Sequence, residues 1–194
     1  VIGGGIAGMS AALNLAEQGY HTYLVEKKDH LGGHGLKVKQ TWRGEAVAGQ
    51  LADLVQRVQS HKLIEVLTGA EVTSASGFVG NFYSTVRSNG TERGVNHGAV
   101  IIATGGHSLE PQEYLYGQND RVTRWHDLEQ RFDEQPDLLR QAEAIAFIQC
   151  VGSREPQRPY CSKICCTASV QSALELKAKN PDLDVYVFYR DFRT

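Results

Sequence analysis

No stretch of about eighteen apolar residues occurs in this chain, so the sequence offers no transmembrane helix. It also lacks a lysine- or arginine-rich block. With 20 Lys and Arg against 22 Asp and Glu, the formal net charge of -2 leaves no electrostatic footprint for nucleic acid. No low-complexity segment or short-period repeat is found. Cysteines spread along the chain are missing too: the four present stand at 150, 161, 165 and 166, unlike a secreted disulfide framework, and a reducing cytosol is expected. A signal peptide is absent, which excludes little. Val1 and Ile2 read as the end of a strand, and the C-terminus stops just after another apolar strand, so a fragment of a longer protein is expected. What remains is 194 residues, 41% hydrophobic and 22% charged, enough for one domain or one domain plus part of another.

The chain opens on a βαβ pattern. Val1 and Ile2 close a strand, residues 3–8 (GGGIAG) turn, residues 9–20 (MSAALNLAEQGY) carry an apolar-faced helix, and residues 21–26 (HTYLVE) form the second strand. Gly19 stands just past the helix, where a left-handed cap is wanted. The loop LGGHG follows, and residues 45–61 predict a second helix with Leu51, Leu54, Val55 and Val58 on one stripe. The period then shortens. Residues 64–67, 71–76 and 78–88 alternate like strands, and Asn89-Gly90 is a hairpin turn. Residues 94–106 (GVNHGAVIIATGG) return to the sheet in a run apolar enough to be buried on both faces. A mixed segment with short helices at 127–132 and 136–141 leads to a recurrence of the opening pattern: strand 144–150, loop, helix 167–179, strand 184–190. A cysteine loop there replaces the glycine turn.

Gly3, Gly5 and Gly8 form G-x-G-x-x-G between strand and helix. Gly3 permits the tight turn, Gly5 lets a pyrophosphate approach the backbone, and Gly8 allows close helix–strand packing. The helix N-terminus then faces the diphosphate with unpaired N–H groups. Glu26 ends the second strand about twenty residues on, where a carboxylate accepts from a ribose 2′-OH, which argues against a 2′-phosphate and so against NADP. Two further stretches, LGG at 31–33 and AVIIATGG at 99–106, resemble the two-dinucleotide-domain flavoproteins and favour FAD over NAD. In that family the first loop lies beside the flavin diphosphate, the second strand ends near the cofactor, and Val72 sits where main chain contacts adenine. The resemblance implies FAD contacts from Gly3, Gly5, Ile6, Ala7, Gly8, Glu26, Lys27, Gly32, Gly33, Val72, Ala103, Thr104 and Gly105. The expected fold is α/β: a Rossmann-like FAD/NAD(P)-binding segment at 1–142 with a small antiparallel β-meander, followed by the first βαβ of a second, NAD(P)-domain-like unit at 143–194.

That second unit lacks its own glycine triad. Residues 149–166 (QCVGSREPQRPYCSKICC) keep only Gly152, so the phosphate cradle is missing and nicotinamide binding is not expected there. Four fates remain for the thiols. Buried inert cysteine is the commonest. A redox disulfide between Cys161 and Cys165 leaves two thiols unexplained. Zinc takes four thiolates, although structural sites usually pair two short C-x₂₋₄-C knuckles. An iron–sulfur cluster also needs about four thiolates and tolerates uneven spacing better. Adjacent Cys165 and Cys166 would diverge by about 100° on a regular helix, so both can face one cluster only if the loop is irregular there or the helix begins after them.

One family resemblance runs through nearly the whole chain. VIGGGIAGMSAALNLAEQGY, VEKKDHLGG, SGFVGNF, IIATGG, EYLYG, IQCVGSR, RPYCSKICC and VYVFYRDFRT resemble the A subunit of heterodisulfide reductase and its relatives in sulfate-reducing bacteria; the cysteine segment and GFVGNF are the specific stretches. The resemblance implies a cytoplasmic oxidoreductase subunit bearing FAD, with Cys150, Cys161, Cys165 and Cys166 holding a [4Fe–4S] cluster close to the flavin. Implied partners are other heterodisulfide reductase subunits, hydrogenase or formate dehydrogenase input subunits, and ferredoxin, with electrons relayed or bifurcated toward disulfide reduction. The family's ferredoxin-like cysteine runs and its C-terminal flavin-closing segment are absent, so the piece alone is expected to bind FAD weakly or not at all. Two other functions compete: a stand-alone NAD(P)H-dependent disulfide reductase with a low-pKa Cys161 or Cys165 assisted by Lys163, and a zinc-stapled scaffold without activity. His30, His34, Trp42 and Arg190 read as ordinary surface or loop residues.

Overall fold

Apolar residues at 9, 12, 13 and 16 repeat with the spacing of one helical face, and all of them are buried in α1 (Ile6–Glu17). The helix ends where Gly19, at φ 90°, turns left-handed, and its N–H donates to Ala16 O at 2.9 Å. This is the first element of a computed structural model that describes residues 1–193, apart from the side chains of Glu129 and Asp133. The chain divides into two compact units, Val1–His107 and Ser108–Thr194. No helix among the described residues is long and apolar enough to cross a membrane.

In the first unit β1 (Thr22–Val25) runs parallel to β2 (Ile64–Leu67), with Thr22 opposite Ile64 and Val25 opposite Leu67. Residues 1–3 extend this sheet on the other side of β1. Gly3 N–H donates to Val25 O at 2.8 Å, Val25 N–H to Val1 O at 2.9 Å, and Ala103 N–H to Ile2 O at 2.8 Å. Across the sheet the order is therefore 101–103, 1–3, β1, β2. α1 and α2 (Val47–Ser60) cover one face. Met9, Leu13, Leu24, Leu51, Val58 and Ile64 form the core between them, with Leu54 and Val55 of the expected stripe packed against it. Each such side chain contributes about 1.5–3 kcal/mol on full burial.

The meander is β3 (Ala70–Phe78), β4 (Asn81–Ser88) and β5 (Thr91–His97), all antiparallel. Asn89 and Gly90 both have positive φ, as a tight hairpin of this type requires. The expected single strand over 78–88 is instead broken by a second turn at 79–80. Gly80, at φ 88°, supplies the reversal, and its N–H donates to Gly98 O at 2.9 Å. The expectation that 94–106 is buried on both faces is also corrected. Ile102 is 75% exposed and Val100 and Ile101 are partly so, because 101–103 stand at the sheet edge and pair only with residues 1–3 among the described residues.

The second unit contains α3 (Trp125–Glu134), α4 (Pro136–Gln141), β6 (Ala144–Ile148), α5 (Cys165–Lys179) and β7 (Asp184–Phe188). β6 and β7 are parallel, with Phe147 opposite Val187. Leu139, Phe147, Leu176 and Leu183 form its core, and Leu128 and Phe132 pack against it. Residues 108–142, placed by the sequence reading at the end of the first segment, gather with this unit. Of the mixed segment's helices, α3 packs against α4 and α5, and α3 and α4 both contribute to the same core.

Candidate functional site

Three loops meet at the C-terminal edge of the first unit's sheet. The opening turn crosses directly beneath 103–106: a Cβ on Gly3 would lie 2.3 Å from Ala103 O, and Gly3 itself is at φ 108°. Gly8 packs against the same turn, where a Cβ would stand 1.8 Å from Gly3 O. The LGG loop runs alongside, with Gly32 N–H donating to Gly4 O at 2.8 Å. His34 Nε2 then lies 2.6 Å from Gly106 O, so that nitrogen carries the proton and straps the second loop to the third. Gly3, Gly5, Gly8, Gly32, Gly33, Ala103, Thr104 and Gly105 are thereby brought together.

Gly5 is the N-cap of α1, with no side chain capping the helix and no acidic residue in its first turn. The first-turn N–H groups, at Ile6 and Ala7 among others, are thus left to an anion. Among the described residues beyond its chain neighbours and its own helix, only Gly33 Cα, at 4.0 Å, lies within contact range of a Cβ placed on Gly5, which leaves room there for a ligand. Glu26 is fixed by two main-chain donors: Gly4 N–H reaches Oε2 at 2.5 Å and Lys28 N–H reaches Oε1 at 2.8 Å. A carboxylate has further lone pairs for hydroxyl donors. Ala70 N–H donates to Glu26 O at 2.9 Å, which sets the start of β3 beside the acid and Val72 two residues beyond. The Lys27 side chain turns to the meander instead, pairing with Glu71 at 2.7 Å. That hydrogen bond raises the Lys27 pKa and lowers that of Glu71. The sequence reading missed Gly4, whose Cβ would strike the Leu31 side chain at 2.5 Å, and the strap role of His34. An unbroken GGG run was the available signal for the first.

The thiols occupy the corresponding strand-to-helix corner of the second unit. All four are free, Cys150 and Cys166 buried, Cys161 and Cys165 half-buried. Cys150 follows β6 by one buried residue, Gln149, whose Nε2 donates to Ser169 Oγ at 2.6 Å. The Gln149 Oε1 is buried with no partner among the described residues. Backbone in the left-handed region marks this loop: Cys150 at φ 61°, Arg154 at φ 61° and Lys163 at φ 56°. Such conformations in non-glycine residues cost of order 1–3 kcal/mol and cluster at functional sites.

Helix α5 begins at Cys165, not after Cys166, so both cysteines lie on its first turn. Burial pushes the Cys165 thiol up, and the charges of Cys166, Cys150 and Cys161 push it further, against a backbone hydrogen bond from Cys150. That backbone hydrogen bond sets the Cys165 thiol beside Cys150, and Cys161 and Cys166 stand four positions before and one after Cys165 in the chain. Among the described residues no group of three or more His, Cys, Asp or Glu is arranged to hold a single metal ion. The donor set still suits a polynuclear group, whose thiolates surround a body rather than meet at a point. Arg154 Nη1 lies 3.8 Å from Cys150 Sγ and pairs with Asp191. Lys163 N–H donates to Cys161 Sγ at 3.3 Å.

Residues 1–145 match the pyridine nucleotide-disulphide oxidoreductase family, and the chain belongs to it. At finer grain it is homologous to the A subunit of heterodisulfide reductase. The CoB–CoM heterodisulfide reductase iron-sulfur A subunit of Methanocaldococcus jannaschii is 27% identical over 285 aligned positions, which take in all of this chain and 43% of that protein. The A subunit of the H2:CoB-CoM heterodisulfide, ferredoxin reductase of Methanothermobacter marburgensis is 27% identical, with 100% and 43% covered. The chain thus spans less than half the length of these relatives, and the aligned stretch is longer than its own 194 residues, so they carry residues within it that this chain lacks. Thioredoxin reductase of Lactococcus lactis shares the fold at a TM-score of 0.54 and 16% identity, covering 100% of this chain and 67% of that one.

Proposed function

We propose that this chain is the FAD- and iron–sulfur-bearing part of an electron-transfer subunit of the heterodisulfide reductase type. FAD would lie on the three-loop groove, its diphosphate at the α1 N-terminus and its ribose at Glu26, with Gly32, Gly33 and 103–105 lining the groove. Cys150, Cys161, Cys165 and Cys166 would hold a [4Fe–4S] cluster. The two groups would supply electron storage in pairs and singly. The chain's residues supply the donors, the anion-binding helix end and four thiols, two of them buried. The names of the relatives support membership of a complex with a heterodisulfide-reducing partner, hydrogenase or formate dehydrogenase subunits, and ferredoxin. Four free thiols fit a reducing cytoplasm.

The observation that carries this reading is four free thiols, two of them buried, borne by the β6–α5 loop and the first turn of α5, where a nicotinamide domain would keep its glycine turn. A stand-alone disulfide reductase needs a low-pKa attacking thiolate; Cys165 is displaced in the opposite direction. The test is anaerobic reconstitution of the full-length protein with ferrous iron and sulfide, alongside Cys165→Ala and Cys166→Ala. Uptake of about four irons with matching sulfide, lost selectively in both variants, supports the reading. Equal uptake in all three proteins, or zinc bound in preference under the same conditions, refutes it.

A further inference from the structure

The cysteine loop is held by arginines that its spacing alone does not explain. Arg190, which follows β7, donates through Nη1 to Arg154 O at 2.6 Å and through Nη2 to Glu155 Oε1 at 3.3 Å. Arg193 Nε donates to Asp191 Oδ2 at 3.2 Å, and Asp191 Oδ1 accepts from Arg154 Nη1. Arg154 is therefore fixed at both ends. Its main chain is clamped in a left-handed conformation by Arg190, and its guanidinium is anchored by Asp191 beside Cys150 Sγ. Its side chain is only 17% exposed, so this charge is shielded from water far more than an ordinary surface arginine.

Resting on the cluster reading above, we propose that Arg154 is a positioning residue that sets the reduction potential of the thiolate-held group. The physical ground is charge. A cluster ligated by four thiolates becomes more negative on reduction, and potential depends on net charge and on hydrogen bonds to the sulfurs. A guanidinium at 3.8 Å from one ligand sulfur stabilises the reduced state over the oxidised one, and so raises the potential. Asp191 holds the cation in place and tempers its charge. Arg190 acts only through Arg154, since its hydrogen bonds among the described residues go to Arg154 O and Glu155 Oε1 and none to a sulfur.

The test is an EPR-monitored redox titration of the full-length protein, purified anaerobically, with the signal assigned by its loss in Cys166→Ala. Wild type is compared with Arg154→Lys, Arg154→Ala and, as a charge control in the same unit, Arg140→Ala, whose side chain is 79% exposed and pairs with Asp137. The expected order runs from wild type through Arg154→Lys to Arg154→Ala at the most negative potential, with Arg140→Ala unmoved and iron content equal throughout. An Arg154→Ala protein with full iron and a wild-type potential overturns the role while leaving the cluster reading intact. Loss of iron in both Arg154 variants also overturns it, in favour of a purely structural role. Wild-type protein with no iron and no sulfide overturns both.

Discussion

Gly5 and Gly8 belong to one motif, yet the structure gives them opposite responses to a single methyl group. At Gly8 a Cβ would stand 1.8 Å from Gly3 O; ordinary non-bonded contact needs about 3.5 Å, so helix and turn must part by more than 1 Å. Gly3 cannot yield freely, because its N–H is bound to Val25 O at 2.8 Å and the adjacent Ile2 O accepts from Ala103 at 2.8 Å. Overpacking of this kind costs about 1–3 kcal/mol, each weakened hydrogen bond about 0.5–1.5 kcal/mol, and the helix-propensity gain of alanine returns about 1 kcal/mol. With both hydrogen bonds weakened, Gly8→Ala should thus lose roughly 1–5 kcal/mol of stability. At Gly5, φ is −77° and ψ −178°, open to alanine, and the nearest atom is 4.0 Å away. Gly5→Ala should lose only about 0.5–1 kcal/mol, the difference between glycine and alanine at an N-cap. The added methyl projects toward the proposed diphosphate, so FAD affinity should fall about tenfold or more, which corresponds to about 1.4 kcal/mol. Urea unfolding followed by circular dichroism gives the first quantity, and FAD titration of the full-length protein gives the second. Equal stability losses for the two variants would refute the packing argument. Wild-type FAD binding by Gly5→Ala would refute the placement of the ligand.

Leu24→Ala removes a fully buried side chain from beneath α1 and should cost about 2–5 kcal/mol, read as a lower urea midpoint. Glu65 is held below its ordinary 4.5 by its hydrogen bonds to Arg93, so its contribution is complete above pH 4.5 and is lost as pH falls through the lower, folded-state value. Glu65→Gln should accordingly flatten the acid limb of a stability–pH curve and leave a curve with the same slope near neutrality. Lys27 gives the opposite limb: its pKa is raised from 10.5 by Glu71, so its contribution is complete below 10.5 and fades above the raised value. In iron-free reduced protein, Cys165 should alkylate with iodoacetamide more slowly at pH 8 than in the urea-unfolded chain, as peptide mapping would show, since its thiol is pushed up from 9.0. Faster reaction in the folded state would revive the reductase alternative.

Much of this was legible in the sequence because it rests on local pattern. α1, α2, β2 and the Asn89-Gly90 turn follow from periodicity and turn chemistry, whereas the approach of Ala103 to the opening turn was implied only by the flavoprotein resemblance. The four thiols were visible as a set, although the place of Cys165 and Cys166 on the first turn of α5 was not, since it depends on where that helix starts. The break at 79–80 was lost because a Val-Gly turn between alternating residues leaves the strand period intact. Ile102 shows the limit of reading burial from apolarity: a run fit for a sheet interior stands at an edge. The ties of Arg154 and Arg190 were out of reach, because they link residues 35 to 37 positions apart through side chains that look like ordinary surface charges.

The central claim concerns what the two strand-to-helix corners hold. Quantifying flavin, iron, acid-labile sulfide and zinc in one anaerobic preparation of the full-length protein, together with its absorption spectrum, tests it most directly. The account predicts FAD together with iron and sulfide in equal amounts, the share lost in Cys166→Ala being about four of each. Zinc at the thiols, or flavin with no iron and no sulfide, would contradict it.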